Sequence, residues 1–264
     1  MADGIEFHPH ERELIRRWHE AHIRAAEASD DFKRGWRATN ITPQADEAQQ
    51  FLDALRRTRD LGAFQIGTDR WVRSFMSGYA GFSGQMVINQ INKRAPDPDA
   101  AVTVLLDVLS VPTDIGDAVR KIRVLADYLE SLKVGAHPNP ARAPFVASYY
   151  WGLAEPGTWP VAWPKSTAYV DYCTGITGYA DQGHRYFELY RVATELDGNV
   201  VRFEEVAAWW ADEHHIFVDE VLCDRSAWRV DTLRETDDPE IYRRNAQALV
   251  NVSAHLGDSL ESEI

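Results

Sequence analysis

The sequence predicts a mainly α fold, a multi-helix globular bundle with a Pro/Trp-rich connector and at most short strands. Three observations carry that expectation. Apolar residues recur at spacings of three and four through most of the chain, which is the mark of one buried helix face. Capping residues followed directly by proline signal helix starts at Thr42-Pro43 and Asp97-Pro98. Strands do not alternate with helices in the way that builds a parallel sheet, and no internal repeat is present.

Taken in order, the segment from Pro9 to Trp36 is charged and helix-compatible, with Leu14, Ile15, Trp18 and Ala21 or Ile23 at helical spacing. Thr42 and Pro43 open a second helix, whose stripe is Phe51, Leu52 and Leu55 and which runs to about Asp60. Phe64, Trp71, Val72, Phe75 and Met76 define a third. It ends in SGYAGFSG, whose glycines Gly78, Gly81 and Gly84 read as a turn between helices. Asp97-Pro98 starts AAVTVLLDVLSV, and Thr113 opens the clearest helix of all, with Ile115, Val119, Ile122, Leu125, Leu129 and Leu132 on one face and Gly135 at its end.

Six of the twelve prolines then fall between Ala136 and Pro164, too close together for a long helix. This reads as a connector with PFVASYYWGL as its one short ordered piece. Helical texture returns over Ser166 to Cys173, Gly183 to Leu196 and Phe203 to Glu213, and a last helix carries Leu249, Val252 or Ser253, Leu256 and Leu260. The organisation expected is an N-terminal helical region 1–135, a connector 136–165 and a C-terminal helical region 166–264, compatible with one continuous domain.

Composition limits the function classes. With 264 residues, 45% hydrophobic and 26% charged, the chain can bury a sizeable core without covalent staples. Cys173 and Cys223 show no CxxC spacing, so neither a disulfide framework nor a four-ligand zinc site is indicated. The opening MADGIEFHPHERELIRRW has charges where a signal peptide needs an apolar run, and no run approaches the roughly 18 apolar residues of a membrane span. The expectation is a cytoplasmic protein without membrane contact.

The net charge of −13 argues against a surface that binds nucleic acid throughout. The charge is unevenly spread. Residues 51–95 carry seven basic against three acidic groups, while residues 181–264 carry eight arginines against nineteen acids. Arg56, Arg57, Arg70, Arg73, Lys93 and Arg94 are therefore the candidate patch for a nucleic-acid backbone, with a solvated helix face as the ordinary reading.

Catalytic signatures are missing or misplaced. No Lys-Ser or Lys-Thr follows the 78–84 glycines, so a phosphate loop is not formed. Ser83 in GFSGQ lacks the GxSxG elbow. The cluster ADEHHIFVDE offers Asp212, Glu213, His214 and His215, but adjacent histidines point about 100° apart on a helix, unlike the i, i+4 pair of HExxH. No cofactor, metal or catalytic residue is assigned. A metal-dependent hydrolase or nuclease built on those four residues stays as an alternative.

The stretch YYWGLAEPGTWPVAWPKS is the other candidate site. Tyr149, Tyr150, Trp151, Trp159 and Trp163, with Tyr169 and Tyr172 just beyond, could form a slot that stacks a base or another planar ligand, with Lys165 or Arg142 contacting a phosphate. The same rings beside proline also suit a packed junction, and large aromatics dominate cores. Both readings stay open.

The run FMSGYAGFSGQMVINQINKR followed by GAHPNPARAPFVASYYWGLAEPGTWPVAWPKS resembles the amino-terminal module of McrB-type restriction-like proteins, in which a following segment carries an AAA+ ATPase. The resemblance covers about residues 51–215. It implies a non-enzymatic module of a bacterial defence system that senses nucleic acid or acts as a scaffold, with DNA and an ATPase or nuclease subunit as partners. No Walker motif is present, so ATPase activity does not carry over. A protein–protein scaffold with no small ligand is the further alternative.

Overall fold

The computed structural model describes residues 9–32, 34–35, 44–75, 81–174 and 179–213. Ten α-helices and no strand are present among them: α1 Pro9–Ala28, α2 Ala45–Thr58, α3 Leu61–Phe75, α4 Gly81–Arg94, α5 Pro98–Leu109, α6 Ile115–Ser131, α7 Ala143–Ala154, α8 Pro164–Thr174, α9 Gln182–Arg191 and α10 Val200–Glu213. One antiparallel bridge joins Val134 and His137. A π-helical turn, Val192–Asp197, continues α9. The mainly α fold is as expected from the sequence. The final helix lies outside the described residues, as do Thr42 and Pro43.

Local chemistry explains the helix starts. The Asp97 side chain accepts from the backbone N–H of Asp99 and Ala100 at 3.0 and 3.1 Å, and Pro98 fills the first helical position of α5. After α5, Asp114 rather than Thr113 caps α6, accepting from Asp117 N–H at 2.8 Å. Gly81 and Gly84 lie inside α4 instead of in a turn. At Gly84 the missing side chain lets the Phe145 ring of α7 come close, since a Cβ there would stand 2.9 Å from Phe145 Cε1.

The segment expected to be a connector holds the central helix. Eleven of the twelve α7 residues are buried, Ala143 through Leu153, so the helix is covered on all sides. Pro144 sits in its first turn and Pro156 lies just beyond its end, which reconciles the proline density with a short helix. Helices α2, α4, α5, α6 and α9 surround it. Helix α6 packs along α9, where Gly183 meets Val119 and Arg123 so tightly that a Cβ would stand 3.0 Å from the Val119 carbonyl oxygen.

The C-terminal end of α5 shows how the interior handles polar groups. Its last carbonyls have no partner within the helix. The Trp151 indole N–H donates to the Val108 carbonyl at 2.9 Å, and the Ser110 hydroxyl donates to the Asp107 carbonyl at 2.7 Å. The buried Lys121 ammonium then donates to the Ser110 carbonyl at 2.8 Å and to its hydroxyl oxygen at 2.7 Å.

Candidate functional site

The aromatic stretch is enclosed. Tyr149, Tyr150, Trp151, Trp159 and Trp163 are all buried, none more than 7% exposed. Trp151 meets Trp159 and Tyr186 edge-on, with ring centroids 6.0 and 5.5 Å apart, and Trp163 meets Phe145 and Tyr149 at 5.3 and 5.7 Å. Tyr149 donates to Gln44 Oε1 at 3.0 Å and Trp159 to Glu155 Oε2 at 3.2 Å. Burial pushes the Tyr150 hydroxyl well above the usual tyrosine range. In this fold the rings are core, and the wet, open slot that stacking a base requires is not formed by them. Lys165 is half-buried in the first turn of α8.

Irregular backbone crosses the interior between Trp159 and Trp163, and side chains take up its polar groups. Val161 N–H donates to Glu204 Oε1 at 2.6 Å, Ala162 N–H to Ser148 Oγ at 2.9 Å, and the Tyr186 hydroxyl to the Pro160 carbonyl at 3.0 Å. Glu204, only 1% exposed, is thus a buried carboxylate whose work is to hold a loop.

Four of the six basic candidates, Arg56, Arg57, Lys93 and Arg94, lie at the ends of α2 and α4. Helices α2 and α4 both finish beside the start of α5. Arg59, in a left-handed conformation at the end of α2, donates to Asp99 Oδ1, the Asp99 carbonyl and Thr103 Oγ1, each at 2.8 Å. Arg56 pairs with Asp53 at 2.6 Å, and Arg94 donates to the His137 carbonyl. Arg57 and Lys93 are exposed and have no ion pair among the described residues. Arg70 and Arg73 belong to α3, with side chains outside what is described.

Asp212 and Glu213 end α10, with side chains outside the described set, and His214 and His215 lie outside it altogether. Among the described residues no three His, Cys, Asp or Glu side chains converge as a metal site would require.

A dense polar cluster among the described residues lies elsewhere, around Tyr169 and two histidines of α1. His19 and His22 of α1 face Tyr169 of α8. His19 Nδ1 stands 2.8 Å and His22 Nδ1 2.9 Å from the Tyr169 hydroxyl oxygen, and His19 Nε2 lies 2.6 Å from Asp197 Oδ2 in the π turn. Arg202 of α10 holds the other Asp197 oxygen through Nε at 2.8 Å. Tyr169 is fully buried, and the side chains of His19 and Asp197 are at most 1% exposed. Burial pulls the Asp197 carboxyl up, but the hydrogen bonds from His19 and Arg202 outweigh it and hold the carboxyl below its usual value. Burial raises the Tyr169 hydroxyl well above its usual range and pushes the neighbouring Cys173 thiol up to about 12. Neither is therefore a ready nucleophile.

A second network lies across α8, where Asp171 takes hydrogen bonds from the Tyr179 hydroxyl and from Arg185 at 3.2 Å. Here burial wins over the Arg185 charge, and the Asp171 carboxyl is raised.

The signal for the α1 cluster was present. Ile15, His19, His22 and Ala26 follow i, i+4, i+7, i+11 and are the buried positions of α1 among its described side chains, with two histidines where apolar residues would be expected.

Comparison of the chain with protein-family models, with curated proteins and with solved structures gives no match. Among the described residues no helix is long and apolar enough to cross a membrane.

Proposed function

We propose that the chain is a non-enzymatic recognition or scaffold module of a restriction-type defence system, which meets nucleic acid at its helix ends. The observation that carries this reading is the exposure of Arg57 and Lys93 near the ends of α2 and α4. The rings of Tyr149, Tyr150, Trp151, Trp159 and Trp163 are committed to the core, while Arg57 and Lys93 are without an ion pair among the described residues. Phosphate contact of this kind is sequence-independent and weakens with salt. A partner ATPase or nuclease subunit would supply the chemistry.

Fluorescence anisotropy with labelled single-stranded and duplex DNA, over a salt series from about 20 to 200 mM, tests the proposal. Binding at low salt that weakens in an Arg57→Ala/Lys93→Ala double variant supports it. Absence of binding at the lowest salt removes the nucleic-acid part and leaves a protein scaffold.

A further inference from the structure

We propose that Asp197–Gly198 is a site of covalent self-modification, isomerisation of the aspartate to isoaspartate through a succinimide, and that His19 of α1 and Arg202 of α10 hold the reaction in check. Among the described residues Asp197 alone is followed by glycine. With no side chain on the following residue, its backbone nitrogen reaches a neighbouring carboxyl carbon more easily than any other residue's.

The step balances with water alone. The Gly198 nitrogen attacks Cγ of the protonated Asp197 carboxyl, the N–Cγ bond forms, and the amide hydrogen leaves with the carboxyl hydroxyl as water. A water molecule then opens the five-membered ring at the former main-chain carbonyl of Asp197. The chain now runs through Cβ and Cγ, the old carbonyl has become a free carboxylate, and neither mass nor oxidation state has changed.

The fold opposes this step in three ways. Both carboxyl oxygens are taken, since His19 Nε2 lies 2.6 Å from Oδ2 and Arg202 holds Oδ1 through Nε at 2.8 Å. Those donors also keep the carboxyl ionised, whereas hydroxyl is expelled only from the protonated acid. Finally, Asp197 closes the π turn, and ring closure requires it to leave the helical ψ range held there. Gly198 follows in the left-handed region, at φ 68°.

The reaction therefore runs from a locally opened state, in which α1 has lifted from the π turn. Helix α1 rests on α8, α10 and that turn, and the Tyr169 hydroxyl, 2.8 Å from His19 Nδ1, sets the ring that meets Asp197. Once formed, isoaspartate does not restore the contact. Its carboxylate sits on Cα, and an extra carbon displaces the chain that leads into α10. Each event loosens α1 for good.

Incubation of the full chain for several weeks at about 37 °C and pH 7.4, then digestion and mass spectrometry with electron-transfer fragmentation, locates isoaspartate at position 197. The expected native rate is at least roughly tenfold below that of the chain unfolded in guanidinium chloride. His19→Ala should raise the native rate at least about threefold while hydrogen-exchange protection of α6 stays as in wild type. Should His19→Ala fail to fold, Arg202→Ala, which truncates a side chain that is 41% exposed, carries the test with the same expected rise. No isoaspartate in the unfolded chain, equal rates in the folded and unfolded chains, or a native rate unmoved in the variant that folds would each overturn the proposal.

Discussion

Trp151 of α7 donates its indole N–H to the carbonyl of Val108, 43 residues earlier, across 2.9 Å of fully buried core. The bond closes an orphan carbonyl at the end of α5 and orients the ring against Trp159 and Tyr186. Trp151→Phe leaves that carbonyl buried without its donor and removes ring volume. The expected loss is about 2–4 kcal/mol, read as a lower urea midpoint at unchanged slope. A loss below about 1 kcal/mol would mean that the core around α7 readjusts far more freely than its close ring contacts imply.

The approach of α9 to α6 rests on Gly183, where the nearest obstacle to a Cβ includes the Val119 backbone oxygen at 3.0 Å. Backbone gives way less easily than the end of a side chain. Gly183→Ala should therefore destabilise by about 1–3 kcal/mol despite the better helix propensity of alanine. Thermal unfolding checks this, and a rise in Tm would contradict it.

Cys173 should be inert in the folded protein. A thiol pushed up to about 12 by burial carries roughly a thousandfold less thiolate at pH 8 than an ordinary one. Iodoacetamide labelling, resolved by peptide mass spectrometry so that Cys223 is counted separately, should modify Cys173 only after unfolding in urea. Rapid labelling of the native protein would show that the α8 face opens to solvent.

Acid should weaken the α1 attachment through Asp197. The Asp197 carboxyl is held below its ordinary value of 3.8, so it contributes stability that is present above about pH 4 and is lost as pH falls through the depressed folded value. Asp197→Asn should cost about 3 kcal/mol at pH 7, because it leaves Arg202 and His19 without their anion. The same variant should lose less of its remaining stability than wild type between pH 5 and 3. Parallel urea midpoints for the two proteins over that range would refute the assignment.

Much of the helical order could be read from residues alone, because caps and apolar stripes are local. Asp97-Pro98 and the Ile115–Leu129 face are cases in which side-chain chemistry within one turn decides the outcome. The fate of the aromatic stretch was not local. Tyr149 finds Gln44 105 residues away and Trp151 finds Val108, and no spacing within YYWGLAEPGTWPVAWPKS announces those partners. Arg59 is a related case, taken up by Asp99 and Thr103 of a helix that begins beyond it. His19 and His22 were overlooked because a stripe was sought among apolar residues, whereas their burial depends on Tyr169 and Asp197 far along the chain.

The wide separation of those partners bears on how the protein is made. Helix α1 leaves the ribosome early, but the groups that satisfy its histidines are synthesised some 147 to 178 residues later. Until α8 and the π turn emerge, His19 and His22 lack the partners they meet in the folded chain. Contacts between such distant segments form late, since closing so long a loop is not rewarded until both ends are in place. The first described helix of the nascent chain is thus among the last to be fastened.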